Sequence, residues 1–302
     1  MSSRASLLAI VTTIAVPTFA LAQPAPKFEF GKAEEVEKVK DVEWTAQAEA
    51  GIVFTTGNSE TTTATAGIKA SRKTGKNKLS LEASLTYAKS GIRVIQDNNG
   101  DGVINDESEI TTQDTTTAES YAAKVRYDRF LTKFNSLFAA ALASRDVPAG
   151  KEKALGVQAG YSRQLYKTKT TEAVAEIGYD FSREDLTAGK SLSIHSARGF
   201  VGFKAEMTEG TTVDASLEAL TNLNEEDLPT KRDGGFGKDT RLTGKIGVAA
   251  KIGKNLAVQT SIELKFDNRP GPLPIKGLAM DFVPEASKMD TIMKASLIYQ
   301  IF

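Results

Sequence analysis

Apolar and polar residues alternate along much of the chain beyond residue 43. A period of two is typical of β-strands whose two faces meet different surroundings. The segment 256–267 is the clearest case, with Leu256, Val258, Thr260, Ile262, Leu264 and Phe266 on one face and Gln259, Ser261, Glu263, Lys265 and Asp267 on the other. The alternation predicts an all-β protein.

About twelve such segments lie between Trp44 and Phe302, each long enough to cross an outer membrane as a tilted strand. The predicted strands are 44–56, 60–73, 77–90, 115–130, 136–146, 153–165, 171–183, 195–207, 211–221, 239–252, 255–268 and 288–302. Short connections, all but 166–170 with Gly or Asn, are found at 73–77, 131–135, 166–170, 209–210 and 253–255. They alternate with a second series at 55–60, 91–114, 147–152, 184–194, 222–238 and 269–287, of which only the first is a tight turn.

This alternation of short and long connections is typical of outer-membrane barrels, which have short periplasmic turns and longer external loops. Strand edges cannot stay unpaired in lipid, so such strands must close on one another. We therefore predict a closed antiparallel transmembrane β-barrel of about 12 strands, with both termini in the periplasm. A soluble periplasmic sandwich is the alternative fold, because its strands alternate in the same way.

The N-terminus resembles a cleaved signal peptide. Arg4 supplies a positive charge, residues 7–20 form a short apolar stretch, and Ala20-Leu21-Ala22 is a small-residue cleavage site. The mature chain is thus expected in the outer membrane of a Gram-negative bacterium. The predicted organisation is a signal peptide at 1–22, a charged periplasmic linker at 23–43 and the barrel at 44–302.

Composition narrows the possible functions. The chain has no cysteine, which excludes disulfides and thiolate metal sites. Its 38 basic residues balance 38 acidic ones, which gives no sign of nucleic-acid binding. The residues expected to face lipid are Ala48, Ile52, Phe54, Leu79, Leu81, Leu85, Tyr87, Val125, Tyr127, Val157, Tyr161, Ile177, Tyr179, Phe181, Val201, Phe203, Val213, Leu217, Ile246 and Val248.

The face expected to line the lumen is rich in charge. Its acidic residues are Glu49, Glu82, Asp128, Glu172, Glu176, Asp180, Glu206, Asp214, Glu218, Glu263 and Asp267. Its basic residues are Lys69, Lys124, Arg126, Arg198, Lys204, Arg241, Lys245, Lys251, Lys265 and Lys294. Such a wall can select solutes in a porin-like channel or can fill a narrow barrel with ion pairs. The near balance of the two signs favours the filled lumen, and the channel is the alternative.

The loop 91–114 contains a calcium-loop pattern. Asp97, Asn99 and Asp101 match the first, third and fifth ligand positions of an EF-hand loop, and Gly102 matches its sharp turn. The twelfth position is Ser108, so Glu109 or Glu107 would have to replace the usual Glu. Alternatively, the loop binds no metal ion, and its Asp and Asn side chains form solvent-exposed Asx turns. The predicted Ca²⁺ ligands are Asp97, Asn99, Asp101, Val103, Asn105 and Glu109.

Signals for catalysis are weak. His195 is the only histidine, and Ser193 and Ser196 are its nearest serines in sequence. No G-x-S-x-G motif surrounds these serines. A lipid hydrolase of the outer membrane is the enzymatic alternative, but we expect no enzymatic activity.

Several short segments resemble a known family. They are Trp44-Thr-Ala-Gln-Ala-Glu-Ala-Gly51, Thr56-Gly-Asn-Ser59, Gly156-Val-Gln-Ala-Gly-Tyr161, Glu176-Ile-Gly-Tyr179, Phe266-Asp-Asn-Arg-Pro270 and the aromatic C-terminus. The chain is similar to the domain of unknown function 481 family, often labelled salt-stress-induced outer membrane protein. This resemblance implies a closed outer-membrane barrel with no agreed substrate and no catalytic residues.

The C-terminus of such barrels ends in an aromatic residue, with a Tyr two residues before it. This chain ends in Phe302, but its Tyr299 lies three residues back and Gln300 takes the usual place. We still expect the barrel assembly machinery to recognise it. The other expected partner is outer-membrane lipid, and the chain is expected to be a monomer.

Overall fold

The computed structural model describes residues 42–55, 60–95, 110–147, 150–187, 189–227, 235–270 and 287–301. The described chain forms twelve strands: β1 (Glu43–Thr55), β2 (Glu60–Thr74), β3 (Asn77–Ile95), β4 (Ile110–Phe130), β5 (Asn135–Asp146), β6 (Lys151–Lys167), β7 (Thr171–Leu186), β8 (Ser191–Thr208), β9 (Thr211–Asn222), β10 (Thr240–Lys251), β11 (Leu256–Asp267) and β12 (Met289–Gln300).

Each strand pairs antiparallel with its neighbours in sequence, and β1 pairs with β12 to close the sheet. The predicted all-β, closed antiparallel barrel is confirmed. Strands about 4.8 Å apart and tilted by about 40° give a twelve-stranded barrel roughly 24 Å across between backbones. Among the described residues, no helix is long and apolar enough to span a membrane.

All connections at the end of the barrel that also carries the termini, which we call the terminal end, have two to four residues. At the opposite end, the distal end, the β3–β4, β9–β10 and β11–β12 connections are long. The β5–β6 and β7–β8 connections there have only four residues each, so the loops predicted at 147–152 and 184–194 are shorter than expected. Gly75 and Gly210 have φ values of 52° and 88° in the β2–β3 and β8–β9 turns. Only glycine adopts such values without strain, which explains its presence at these predicted turns.

Three strands extend at least four residues beyond the predicted limits. β3 reaches Ile95 and β4 begins at Ile110, and the two stay paired to their ends past a bulge at Ala88. The threonine-rich segment 111–117 favours this extension, because threonine has a high strand propensity. β8 begins at Ser191, so His195 lies within a strand and not at a loop–strand junction.

Many charged side chains point into the barrel and large apolar side chains point outwards, which is the reverse of the arrangement in a water-soluble protein. Side chains such as Arg126, Glu176 and Arg198 are buried in the interior. Large apolar side chains are exposed on the outer surface, as predicted for Ile52, Leu79, Leu81, Leu85, Tyr87, Val125, Tyr127, Val157, Ile177, Tyr179, Val201, Phe203, Leu217, Ile246 and Val248.

Candidate functional site

The middle of the barrel contains a connected set of ion pairs, the central network of Arg126, Asp128, Glu176, Arg198 and Glu218. Arg126 donates to Asp128 through Nε and Nη2, at 2.9 Å to Oδ2 and 2.7 Å to Oδ1. Its Nη2 also donates to Glu176 Oε1 at 2.8 Å. Arg198 donates to Glu176 Oε2 at 2.9 Å and to Glu218. Two guanidinium groups therefore share one buried carboxylate.

This network links strands that are not neighbours in the sheet. Arg126 lies on β4 and Glu176 on β7, so their bond spans the two strands between them. The negative charge of Glu218 on β9 also acts on Lys124 on β4. Charge-assisted hydrogen bonds of this kind are short and strong, and they hold side chains in place inside the barrel.

An aromatic ring lies beneath the two arginines. The guanidinium carbons of Arg126 and Arg198 lie 4.1 Å and 5.4 Å from the ring centre of Phe138, within cation–π range. Gly160 makes room for this ring, because a Cβ there would lie 2.8 Å from Phe138 Cζ and 2.3 Å from the Ile177 carbonyl oxygen. The absence of a side chain at Gly160 lets the Phe138 ring come close to the backbone of β6.

A second set of ion pairs, the distal network, lies nearer the distal end. Glu184 of β7 accepts from Lys151 of β6 at 3.0 Å, and Arg241 of β10 also donates to it. Arg241 in turn binds Asp239 at 3.0 Å and lies 3.6 Å from Asp267. This network, too, links strands that are not neighbours in the sheet.

The distal network lies above the apolar belt. On β7 the outward positions change from Tyr179 and Phe181 to the charged Arg183 and Asp185, so Glu184 is at a level beyond the lipid-facing segment. Burial alone would raise the pKa of Glu184. The charges of Arg241 and Lys151 outweigh burial and lower this pKa to about 2, so the carboxylate stays ionised.

The Phe266-Asp-Asn-Arg-Pro270 segment helps to build a cap at the distal end. Asn268 Nδ2 donates to the Lys238 carbonyl at 2.8 Å, and buried Arg269 donates to the Glu226 carbonyl at 2.7 Å. Asn222, 2% exposed, accepts from the Asp239 amide at 2.8 Å. Residues 222–227, 235–239 and 268–270 are thereby held together, and we call them the distal cap.

The three residues of the hydrolase alternative, His195, Ser193 and Ser196, do not lie on the same face of β8. Ser196 is buried in the interior, whereas His195 is on the outer face with the neighbouring Tyr179 and Phe181. Tyr179 Oη is hydrogen-bonded to His195 Nδ1, and the Phe181 and His195 ring centres are 4.9 Å apart. Ser193 shares the face of His195, and its backbone amide donates to Glu226. The arrangement is that of an aromatic girdle, where amphipathic rings suit the membrane interface.

The predicted calcium ligands Asp97, Asn99, Asp101, Val103, Asn105 and Glu109 lie outside the described residues. Within the part of the chain that the structure describes, no group of three or more His, Asp or Glu side chains is placed to hold a metal ion.

The sequence pattern located all five charged members of the central network, and Arg241 and Asp267 of the distal network. It missed Lys151, Glu184 and Asp239 of the distal network, and it missed Phe138 and Gly160. β5 reads Asn135-Ser-Leu-Phe-Ala-Ala-Ala-Leu-Ala-Ser144, which is apolar on both faces. Alternation therefore gives no signal for the inward ring. Gly160 could have been noticed in the sequence, because a glycine within a strand often marks the close approach of another group.

The structure is a closed twelve-stranded barrel with large apolar side chains exposed outside and buried ion pairs inside. The family described as protein of unknown function, DUF481, matches residues 48–301, and the chain belongs to it. No curated protein matches the chain in sequence.

Several solved outer-membrane structures are similar to this barrel. The NanC porin has 9% identity and a TM-score of 0.45, covering 85% of this chain and 100% of its own. The translocator domain of the autotransporter NalP from Neisseria meningitidis has 14% identity and a TM-score of 0.41, and the match covers 89% of this chain and 91% of that domain. An anion-selective porin from Comamonas acidovorans has 9% identity and a TM-score of 0.37, and the match covers 86% of this chain and 100% of that porin. None of these likenesses transfers a function to this chain.

Proposed function

We propose that this protein is a structural outer-membrane barrel whose ion-paired interior restricts diffusion through the lumen. The observation that carries the proposal is the bond from Arg126 of β4 to Glu176 of β7, which crosses two intervening strands. In this proposal the network narrows the lumen, so a solute would pass more easily if these side chains moved apart. Separating a buried pair leaves unpaired charge in the interior, at a cost of about 3–5 kcal/mol.

The outer surface supports insertion into a lipid bilayer. Large apolar side chains around the barrel are exposed, and a water-soluble monomer rarely shows a contiguous apolar surface of that extent. In this proposal the terminal end faces the periplasm, the distal cap faces outwards, and lipid and the barrel assembly machinery are the partners. The proposed barrel is a monomer, reaches the membrane by its signal peptide and has no catalytic step.

Conductance in planar lipid bilayers tests the proposal. Purified wild-type protein should give little or no conductance. The triple variant Arg126→Ala, Glu176→Ala, Arg198→Ala removes the central network and should conduct several-fold more. The variant Arg145→Ala, Glu152→Ala removes an exposed ion pair of 2.9 Å and serves as the matched control. A large, stable conductance of the wild type that the triple variant leaves unchanged would favour the porin-like channel.

We further propose that the loop between β3 and β4 binds Ca²⁺. The support is its sequence template, together with the long β3–β4 hairpin, which carries the loop beyond the rest of the barrel. Calcium should raise the melting temperature of the wild type, and Asp97→Ala or Asp101→Ala should abolish that rise. Asp114→Ala, outside the template, is the control. Equal melting of the wild type in calcium and in chelator would exclude the site.

A further inference from the structure

A cluster of three polar side chains lies on the outer surface at the terminal end of β3 and β4. Asn77, the first residue of β3, is opposite Arg129 in the ladder. Its Oδ1 accepts one hydrogen bond from Tyr127 Oη at 2.6 Å and another from Arg129 Nη1 at 2.8 Å. Its Nδ2 donates to the Thr74 carbonyl of the β2–β3 turn at 3.3 Å, so the turn orients the amide. These bonds hold one edge of the guanidinium group, while Arg129 itself is exposed.

The same arrangement recurs two strands further around the barrel. Asn135, the first residue of β5, is opposite Arg163 of β6, and Tyr161 lies two residues before this arginine. Tyr161 Oη donates to Asn135 Oδ1, and Asn135 Nδ2 donates to Thr132 Oγ1 of the β4–β5 turn at 2.7 Å. Arg163 is exposed as well. We call these two sets of residues the Asn–Tyr–Arg clusters.

The two clusters belong to one continuous surface. Leu137 of β5 lies between them, opposite Arg129 on one side and Tyr161 on the other, and is 49% exposed. At a strand spacing of about 4.8 Å, and with a shift of two residues along the strands, the backbones of Arg129 and Arg163 are about 10–12 Å apart.

The charge around the clusters is almost entirely positive. The described segments 68–78, 127–137 and 161–173 contain ten basic residues and two acidic ones, Asp128 and Glu172. Asp128 is buried in the central network, and Glu172 is at an inward position of β7. The carboxylates of these three segments therefore lie on the opposite face of the sheet from the two exposed arginines.

Exposed arginines at the distal end have a different environment. Arg145 forms an ion pair with Glu152 at 2.9 Å, and Arg183 Nε lies 3.9 Å from Asp185. Each cluster arginine instead has a neutral asparagine opposite it in the ladder. The positive charge of the clusters is therefore accessible to an anion from outside the chain.

We propose that the Asn–Tyr–Arg clusters bind the phosphate groups of anionic phospholipids in the membrane leaflet at the terminal end. A guanidinium group presents paired N–H donors that match a phosphate, and basic residues close to a membrane surface attract anionic lipids. The tyrosine rings suit the level of the head groups, and exposed Leu137 contacts the acyl chains. The site rests on the proposed insertion into a bilayer, but not on whether the lumen conducts.

A tryptophan placed between the clusters tests the site, because brominated acyl chains quench nearby tryptophan fluorescence. Trp44 is the single tryptophan, so Leu137→Trp in a Trp44→Phe background reports the lipids at this surface. In vesicles of phosphatidylcholine and phosphatidylglycerol, with bromine on one lipid or the other, the anionic lipid should be enriched several-fold at this reporter. Equal quenching by the two brominated lipids would overturn the proposal. Absence of quenching by either lipid would refute the membrane barrel itself.

A second reporter and matched variants separate the clusters from the rest of the outer surface. Val258→Trp places a reporter at an exposed position near the same end of β11 and should show little enrichment. Arg129→Gln, Arg163→Gln should abolish the enrichment at Leu137→Trp, whereas Arg183→Gln at the distal end should leave it unchanged. Enrichment that survives the double substitution, or that is equal at Val258→Trp, would contradict the proposal.

Two further measurements identify the chemistry of the ligand. Arg129→Lys, Arg163→Lys keeps both charges but loses the paired guanidinium donors, so most of the enrichment should disappear. Full retention would indicate diffuse attraction between charges and would overturn the clusters as binding sites. Excess inorganic phosphate at constant ionic strength should leave the enrichment unchanged, because the membrane holds its head groups at a high local concentration. Loss of the enrichment in phosphate would assign the clusters to free phosphate instead of lipid.

Discussion

Replacement of Glu176 tests the central network most directly. Its side chain is 0% exposed and accepts hydrogen bonds from Arg126 at 2.8 Å and from Arg198 at 2.9 Å. Glu176→Ala leaves two buried guanidinium groups without their shared carboxylate, and breaking such a pair costs about 3–5 kcal/mol. Glu176→Gln keeps an acceptor oxygen but loses the charge, so about 2 kcal/mol is expected.

Urea unfolding of protein refolded into lipid vesicles measures these losses, with Trp44 fluorescence as the signal. Glu152→Ala is the matched control, because Glu152 pairs with Arg145 at 2.9 Å but its side chain is 52% exposed. An exposed pair of this kind contributes at most about 1 kcal/mol. If Glu176→Ala and Glu152→Ala destabilise equally, the interior charges are solvated like surface charges, and the account of a filled lumen is refuted.

Three further predictions follow from the same interior. Gly160→Ala should destabilise the barrel by about 1–3 kcal/mol in urea unfolding, because the new Cβ would overlap the Phe138 ring. Gly199→Ala is the control, because nothing lies within 4 Å of its new Cβ. Equal destabilisation by the two substitutions would contradict the packing argument. The folded pKa of Glu184, about 2, is below its ordinary value of 4.5, so its contribution is present above pH 4.5 and is lost as the pH falls towards 2. In urea unfolding at falling pH, the free energy of unfolding of the wild type should decrease by about 3 kcal/mol through this carboxylate, and Glu184→Gln should lack this decrease. If the wild type and Glu184→Gln show the same pH dependence of stability, the prediction is refuted. Asn222→Ala removes hydrogen bonds to Asn224, Gly235 and Asp239, so proteolysis at 222–238 should accelerate; an unchanged rate would contradict the role of this residue in the distal cap.

The sequence determined the architecture because lipid and lumen impose opposite polarity on the two faces of every strand. Leu256 to Phe266 alternate with Gln259 to Asp267, and this period of two fixes which side chains point outwards. Short connections can join only adjacent antiparallel strands, and each strand of the barrel pairs with the next one in sequence. Both are local properties of the chain, and for that reason they can be predicted without coordinates.

Only the tertiary structure decided which charges meet. Arg126 and Glu176 are on strands separated by two others, and Arg241 of β10 binds Glu184 of β7. These pairings depend on strand tilt and side-chain reach across a closed barrel, which no local pattern encodes. The end of the β1–β12 ladder at Ala50–Leu297 is likewise a property of closure, because the two strands are far apart in sequence and their register is set by the other ten.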